Sequence, residues 1–221
     1  MIAEHPADCG ALYREHRQAL LRLVGSLTAQ DLGTVVPATP AWSVHDVVAH
    51  LVGITADLNA LRFDVADPEA WTARQVEERR TATVPELAAE WEAEAGRFEE
   101  GLRLLGYELG SHYVGDLLHH SQDVREALGR PPIEDDLALV VALDFYVDHF
   151  SQSLAAHGAG AVAIRVADES WTAGAGEVVA TVTAGRFDLF RSFGGRRTKA
   201  EVRALDWTGD VDRVLPFVSA Y

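Results

Sequence analysis

The chain has 221 residues, enough for one large domain or two smaller ones with a real core. Its 34 acidic side chains against 19 basic ones leave a net charge of −15, which argues against nucleic acid and anionic membranes as partners. The lone Cys9 excludes an internal disulfide or a multi-cysteine zinc site. The start, MIAEHPADCG, lacks the basic and apolar regions of a secretory signal, and no run of about 18 uncharged apolar residues predicts a membrane span, so a cytoplasmic protein is expected.

In chain order, Leu12, Leu20, Leu23, Val24 and Leu27 give residues 9–28 a helical rhythm, ended by the proline-containing stretch GTVVPATPAW. Ser43, with Asp46 three residues on, starts a second helix in a capping-box-like pair, and Val44, Val47, Val48, Leu51, Ile54, Leu58 and Leu61 carry it to about Phe63. DVADPEA reads as a loop and residues 71–80 as a short polar helix. Thr83 as cap and Pro85 in the first turn open the next helix, whose stripe is Leu87, Trp91, Phe98, Leu102 and Leu105. Residues 107–128 form another, closed by Gly129 and Pro131-Pro132, and residues 134–156 a last long one, closed by Gly158. Long helices with short joints predict a helix bundle over residues 1–157.

The texture then changes. AVAIRVA and EVVATVT alternate as strands with a glycine-rich turn between them, FDLFRSF reads as a helix ended by Gly194-Gly195, KAEVRALDW as a third strand and VDRVLPFVSAY as a terminal helix. Residues 158–221 are therefore expected to be a small α+β module. Charge divides the same way: residues 1–157 hold 11 Arg and no Lys against 26 acidic residues, whereas residues 158–221 hold 7 Arg and Lys199 against 8.

The chemistry-bearing residues lie in the bundle. His50 sits among Val47, Leu51 and Ile54, on or beside a core-facing stripe. Asp116 and His120, in GDLLHHSQDV, are four residues apart and project from one helix face, with Tyr113 and Val124 turning that face inward. A carboxylate aimed into an apolar interior needs compensation, and a metal ion would supply it. Two imidazoles and a carboxylate leave a position open for water or substrate, as in catalytic sites. Asp123 could accept a hydrogen bond from a ligand imidazole. The competing reading is a hydrogen-bonded core histidine and an ordinary surface Asp–His pair. His119, about 100° around the helix from His120, is expected at solvent or an interface. His45 is expected to face out, His112 could line the same cavity, and His149 and His157 are expected at the surface or its boundary. Cys9 is expected to be inert.

PATPAWSVHDVVAHLVG resembles the opening of the metal-binding domain of the mycothiol-dependent maleylpyruvate isomerase family, within the DinB-like superfamily. There a proline-rich entry and a Trp lead to the helix of the first ligand His. GDLLHHSQDVREALGRP is similar to the family's second motif, Glu-x-x-x-His-x-x-Asp. WTARQVEERR and WEAEAGRF also look like this group, and the tail from ESWTAGAGEVVATVTAG through LFRSFGGRRTKAEVRALDWTGD resembles the family's C-terminal, sterol-carrier-protein-like module. The resemblance implies a mainly α protein, a DinB-like bundle followed by a small α+β module. It implies a divalent ion, zinc above all, on His50, Asp116 and His120, with mycothiol as cosubstrate. Asp116 stands where Glu is expected, so the helix or the ion must shift by about 1 Å for the same bond.

Such a site would make a bound thiol nucleophilic, for thiol transfer or isomerisation of a small, often anionic electrophile. Arg196 and Arg197, after a double glycine, are the candidate catalytic residues for holding the anion. Two alternatives stay open: a metal-assisted hydrolase, in which the open position activates water, and a non-catalytic binding or regulatory protein on the same scaffold.

Overall fold

The computed structural model describes residues 7–64, 66–167 and 169–219. The chain is mainly α with a small C-terminal sheet, and its contacts divide it into two compact units, one of residues 8–133 and one running from residue 134 through the tail.

The first unit is a helix bundle. Helices α1 (Cys9–Val24), α3 (Val44–Asn59), α5 (Val84–Leu104) and α6 (Tyr107–Ala127) pack on one another. Short α2 (Ala29–Leu32) and the hairpin β1–β2 (Val35–Val36, Thr39–Ser43) join α1 to α3, and α4 (Pro68–Glu78) packs on α3. Each long helix aims one apolar stripe inward. Leu12 and Leu20, Val47 and Leu51, Leu87 and Trp91, and Leu117 and Leu118 are all buried. Polar atoms on two of the buried aromatics are paired: Trp91 Nε1 donates to Thr55 Oγ1 at 3.0 Å, and the Tyr13 hydroxyl lies 3.1 Å from the same oxygen.

The expected starts of α3 and α5 hold. Ser43 and Asp46 form a full capping box, as do Thr83 and Glu86. The first helix, expected over residues 9–28, ends early at Val24, and a separate short α2 starts beyond it with a capping box of Thr28 and Asp31. The proline-containing stretch is the β1–β2 hairpin, whose second strand carries Trp42.

In the second unit, α7 (Asp136–Ala156) and α8 (Arg186–Phe193) pack against a four-stranded sheet of order β4-β3-β5-β6, comprising β3 (Ala161–Val166), β4 (Glu169–Gly174), β5 (Val178–Thr183) and β6 (Asp206–Gly209). Leu143, Val147, Phe150 and Leu154 of α7 share one core with Val162, Ile164, Val182, Leu189 and Phe193. That shared core groups α7 with the tail, so the compact units divide at residue 133, where the sequence division was drawn at 157.

The sheet differs from the sequence expectation in two ways. ESWTAG is itself a strand, antiparallel to β3, so β3 and β5 are parallel neighbours rather than a pair joined by a turn. The link from β4 to β5 crosses the start of β3. Gly174 stands there at φ +86, where a Cβ would come 2.3 Å from the Gly160 carbonyl. KAEVRALDW is not one strand: Thr198 and Glu201 form a capping box that starts α9 (Lys199–Arg203), and only Asp206–Gly209 extends. The expected terminal helix is short α10 (Val211–Val214) followed by a 3₁₀ turn over Leu215–Phe217, because Pro216 cannot donate to a continuing helix; Ala220 and Tyr221 lie outside the described residues. Among the described residues, no helix is long and apolar enough to cross a membrane.

Candidate metal centre

The capping box at Ser43 sets the first turn of α3, and His50 follows two turns in, on the face that meets α6. From α6, Asp116 and His120 point back at it. One donor atom from each of the three residues lies within 4.8 Å of the others. His120 Nε2 is 3.6 Å from Asp116 Oδ1, and the two imidazoles meet edge to face with centroids 4.9 Å apart. His50 and His120 are 4% and 6% exposed, whereas the Asp116 side chain is 24% exposed, so solvent reaches the cluster at the carboxylate. Trp42 walls it, with its ring 4.9 Å from His50 and 6.1 Å from His120.

These residues fit a divalent ion. Zinc ligands about 2.0–2.2 Å from the metal stand about 3.4 Å apart around a tetrahedron. The His120–Asp116 spacing is close to that, and the other pairs lie within 4.8 Å. The shorter Asp side chain at the expected Glu position reaches the imidazole pair.

Behind the cluster, His50 Nδ1 lies 2.8 Å from Gln75 Oε1, and Gln75 Nε2 lies 3.4 Å from Asp57 Oδ2. Asp57 also accepts from Trp71 Nε1 at 2.7 Å and pairs with Arg62 and Arg74. The sequence reading missed Gln75, Asp57 and Trp42. A mid-helix glycine, Gly53, was the available signal for a close neighbour on α3. Asp123 is buried, and its Oδ2 lies 3.7 Å from His120 Nδ1, close enough for charge attraction but longer than a hydrogen bond.

Two phenols stand near Asp116. Burial, then the Asp116 charge, pushes Tyr113 up to about 12, and burial likewise raises Tyr13. Both therefore stay protonated across the neutral range.

The other candidates fall elsewhere. His119, expected at solvent or an interface, is 1% exposed; its side of α6 is packed because the helix is covered on more than one face. His45, expected to face out, is half-buried with Nε2 2.7 Å from the Ala82 carbonyl. His112 stacks on Tyr113 at 4.7 Å. His149 and His157 are exposed, as expected. Cys9 is buried, and burial first, then Asp8, pushes its thiol up to about 11. In the second unit, Arg196 Nη1 donates to the Gly194 carbonyl at 3.2 Å and Arg197 Nη1 to the Arg196 carbonyl at 3.1 Å. Arg197 also lines a cavity of about 280 Å³ that it shares with Asp188 and Glu201.

Among family models, that of the mycothiol maleylpyruvate isomerase N-terminal domain matches residues 13–119. The fold is similar to the crystal structure of the mycothiol-dependent maleylpyruvate isomerase, with TM-score 0.55 at 16% identity, covering 92% of this chain and 93% of that one. A histidine-to-alanine mutant of that enzyme matches with TM-score 0.53 at 17% identity and the same coverage. No curated protein sequence matches the chain. At these identities the structural likeness speaks for the fold. The matched domain is that of the family whose motifs the sequence resembles.

Proposed function

We propose, from the premise that residues 13–119 carry a mycothiol maleylpyruvate isomerase N-terminal domain, that this chain is an enzyme using mycothiol and a divalent ion to isomerise, or transfer a thiol to, a small electrophile. The observation that carries the reading is the convergence of His50, Asp116 and His120 within 4.8 Å. The three side chains would hold the ion, zinc being the best fit to two imidazoles and one carboxylate. When bound, such a dication favours the thiolate form of a coordinated thiol at neutral pH.

The chain's own groups do the rest. Two imidazoles and one carboxylate would cancel only one of a dication's two charges, which would favour an anionic sulfur as its partner. Trp42 and the burial of both imidazoles keep water from the inner side, and the partly exposed Asp116 marks the side from which a thiol would enter. Asp123 would hold the His120 ring by attraction to its Nδ1–H. For an anionic ligand of the second unit, Arg196 and Arg197 remain the proposed anchors. Arg197 shares its cavity with Asp188 and Glu201, two carboxylates that repel an anion.

Cobalt(II) loading of the full chain tests this. A tetrahedral d–d spectrum, followed by a sulfur-to-cobalt charge-transfer band on adding mycothiol, is the expected result. Cobalt binding without that band would remove the thiol role and leave activated water as the chemistry of the site. No cobalt uptake would remove the ion as well.

A further inference from the structure

Gln75 is fully buried on α4, a helix that supplies none of the three candidate ligands. We propose that Gln75 is a positioning residue for His50: held between the Asp57 carboxylate and the His50 imidazole, it dictates which ring nitrogen carries the proton and so which one faces the ion. This rests on the ion site proposed above.

The assignment follows from donor and acceptor chemistry. Asp57 is fully buried and paired with the guanidiniums of Arg62, at 2.7 Å, and Arg74, at 3.1 Å. A carboxylate so held is ionised and can only accept. The Gln75 amide must therefore turn its NH₂ toward Asp57 Oδ2 and its oxygen toward His50. An amide oxygen only accepts, so the proton sits on His50 Nδ1, 2.8 Å away. In a neutral imidazole the lone pair then belongs to Nε2, the nitrogen left for a metal.

Packing holds the arrangement in place. A Cβ on Gly53 would lie 2.5 Å from Gln75 Cβ and 2.8 Å from its Cγ, both stem atoms with little room to yield. Glycine at 53 therefore lets α4 approach α3 closely enough to seat the amide. The choice of a neutral amide also has a consequence. A carboxylate in this place would push more electron density onto the imidazole, whereas the amide leaves the ion more of its charge for a bound sulfur.

Nitrogen-15 NMR of the metal-free full chain reads the tautomer directly, with His50→Ala identifying the resonances. The expected result is the Nδ1–H form in the native chain and a mixture in Gln75→Leu. Zinc affinity, measured by competition with a chromophoric chelator, should fall about 10–100-fold in Gln75→Leu. Gln75→Glu, made together with Asp57→Asn so that an amide and not a second carboxylate faces it, keeps an oxygen on Nδ1 and should recover most of that loss, and Gly53→Ala should reproduce the leucine effect with the amide chemically intact. An Nε2–H tautomer in the native chain overturns the proposal without recourse to any variant. So does a shared loss of affinity in Gln75→Leu and in Gln75→Glu with Asp57→Asn, the tautomer unchanged, which would mean packing alone. If the native chain binds no zinc, the ion site falls, and the metal-free tautomer still decides the role of Gln75.

Discussion

Two of the polar clusters that the bundle buries are built on opposite principles. Between α1 and α5, Glu99 lies 2.6 Å from Arg14 and 3.1 Å from Arg17, and Arg17 also pairs with Glu92 at 2.6 Å. Arg17 and Glu99 are each 2% exposed, so their charges compensate one another inside the protein. Between α3 and α6, Asp116 meets two imidazoles instead. An imidazole offers a lone pair where a guanidinium offers only N–H donors. The first cluster is complete as it stands, whereas the second is a set of electron-pair donors aimed at a common point. Burial of ionisable groups alone does not mark a functional site; the kind of groups gathered there does.

Substitutions should separate the two. Zinc sites bind with about 10–16 kcal/mol, so one ligand of a small set accounts for roughly 3–4 kcal/mol, or several hundred-fold in affinity. His120→Ala should lose that much in chelator competition while its circular dichroism stays native. Retained affinity would show that the ion, if any, sits elsewhere. Glu99→Gln should do the reverse, lowering stability by about 3 kcal/mol in urea unfolding because Arg17 is left poorly compensated, with zinc affinity unchanged.

The smallest effect concerns Asp57. Burial raises its carboxyl, but hydrogen bonds from Trp71, Arg74 and Gln75 and the charge of Arg62 outweigh that and hold it below the ordinary carboxylate range. A carboxyl depressed on folding contributes stability that is present in full above its unfolded value of 3.8 and is lost as pH falls through the folded one. Asp57→Asn should therefore melt lower than the native chain at neutral pH, with the gap closing below about pH 4. A gap in melting temperature that stays constant with pH would show that the carboxylate's charge is not what matters there.

The legible parts of this molecule are those set by neighbours along the chain. Ser43 with Asp46 and Thr83 with Glu86 announced two helix starts, and the four-residue step from Asp116 to His120 put both on one face. The tail was harder. ESWTAG carries too few apolar residues to read as a strand, because β4 lies at an edge of the sheet and buries only part of its length. KAEVRALDW alternates well enough to suggest a strand, yet the Thr198–Glu201 box inside it starts a helix.

By itself the sequence determined the long helices of the bundle, the starts at Ser43 and Thr83, and the two imidazoles and one carboxylate with inward-facing positions, since these follow from backbone geometry within a turn or two. Tertiary structure alone decided that α3 and α6 bring those three groups together, that Trp42 walls them, and that Gln75, 25 residues beyond His50, stands behind it. Such contacts depend on how closely helices approach, which is governed by side-chain volume at crossings such as Gly53, and spacing along the chain carries no record of that.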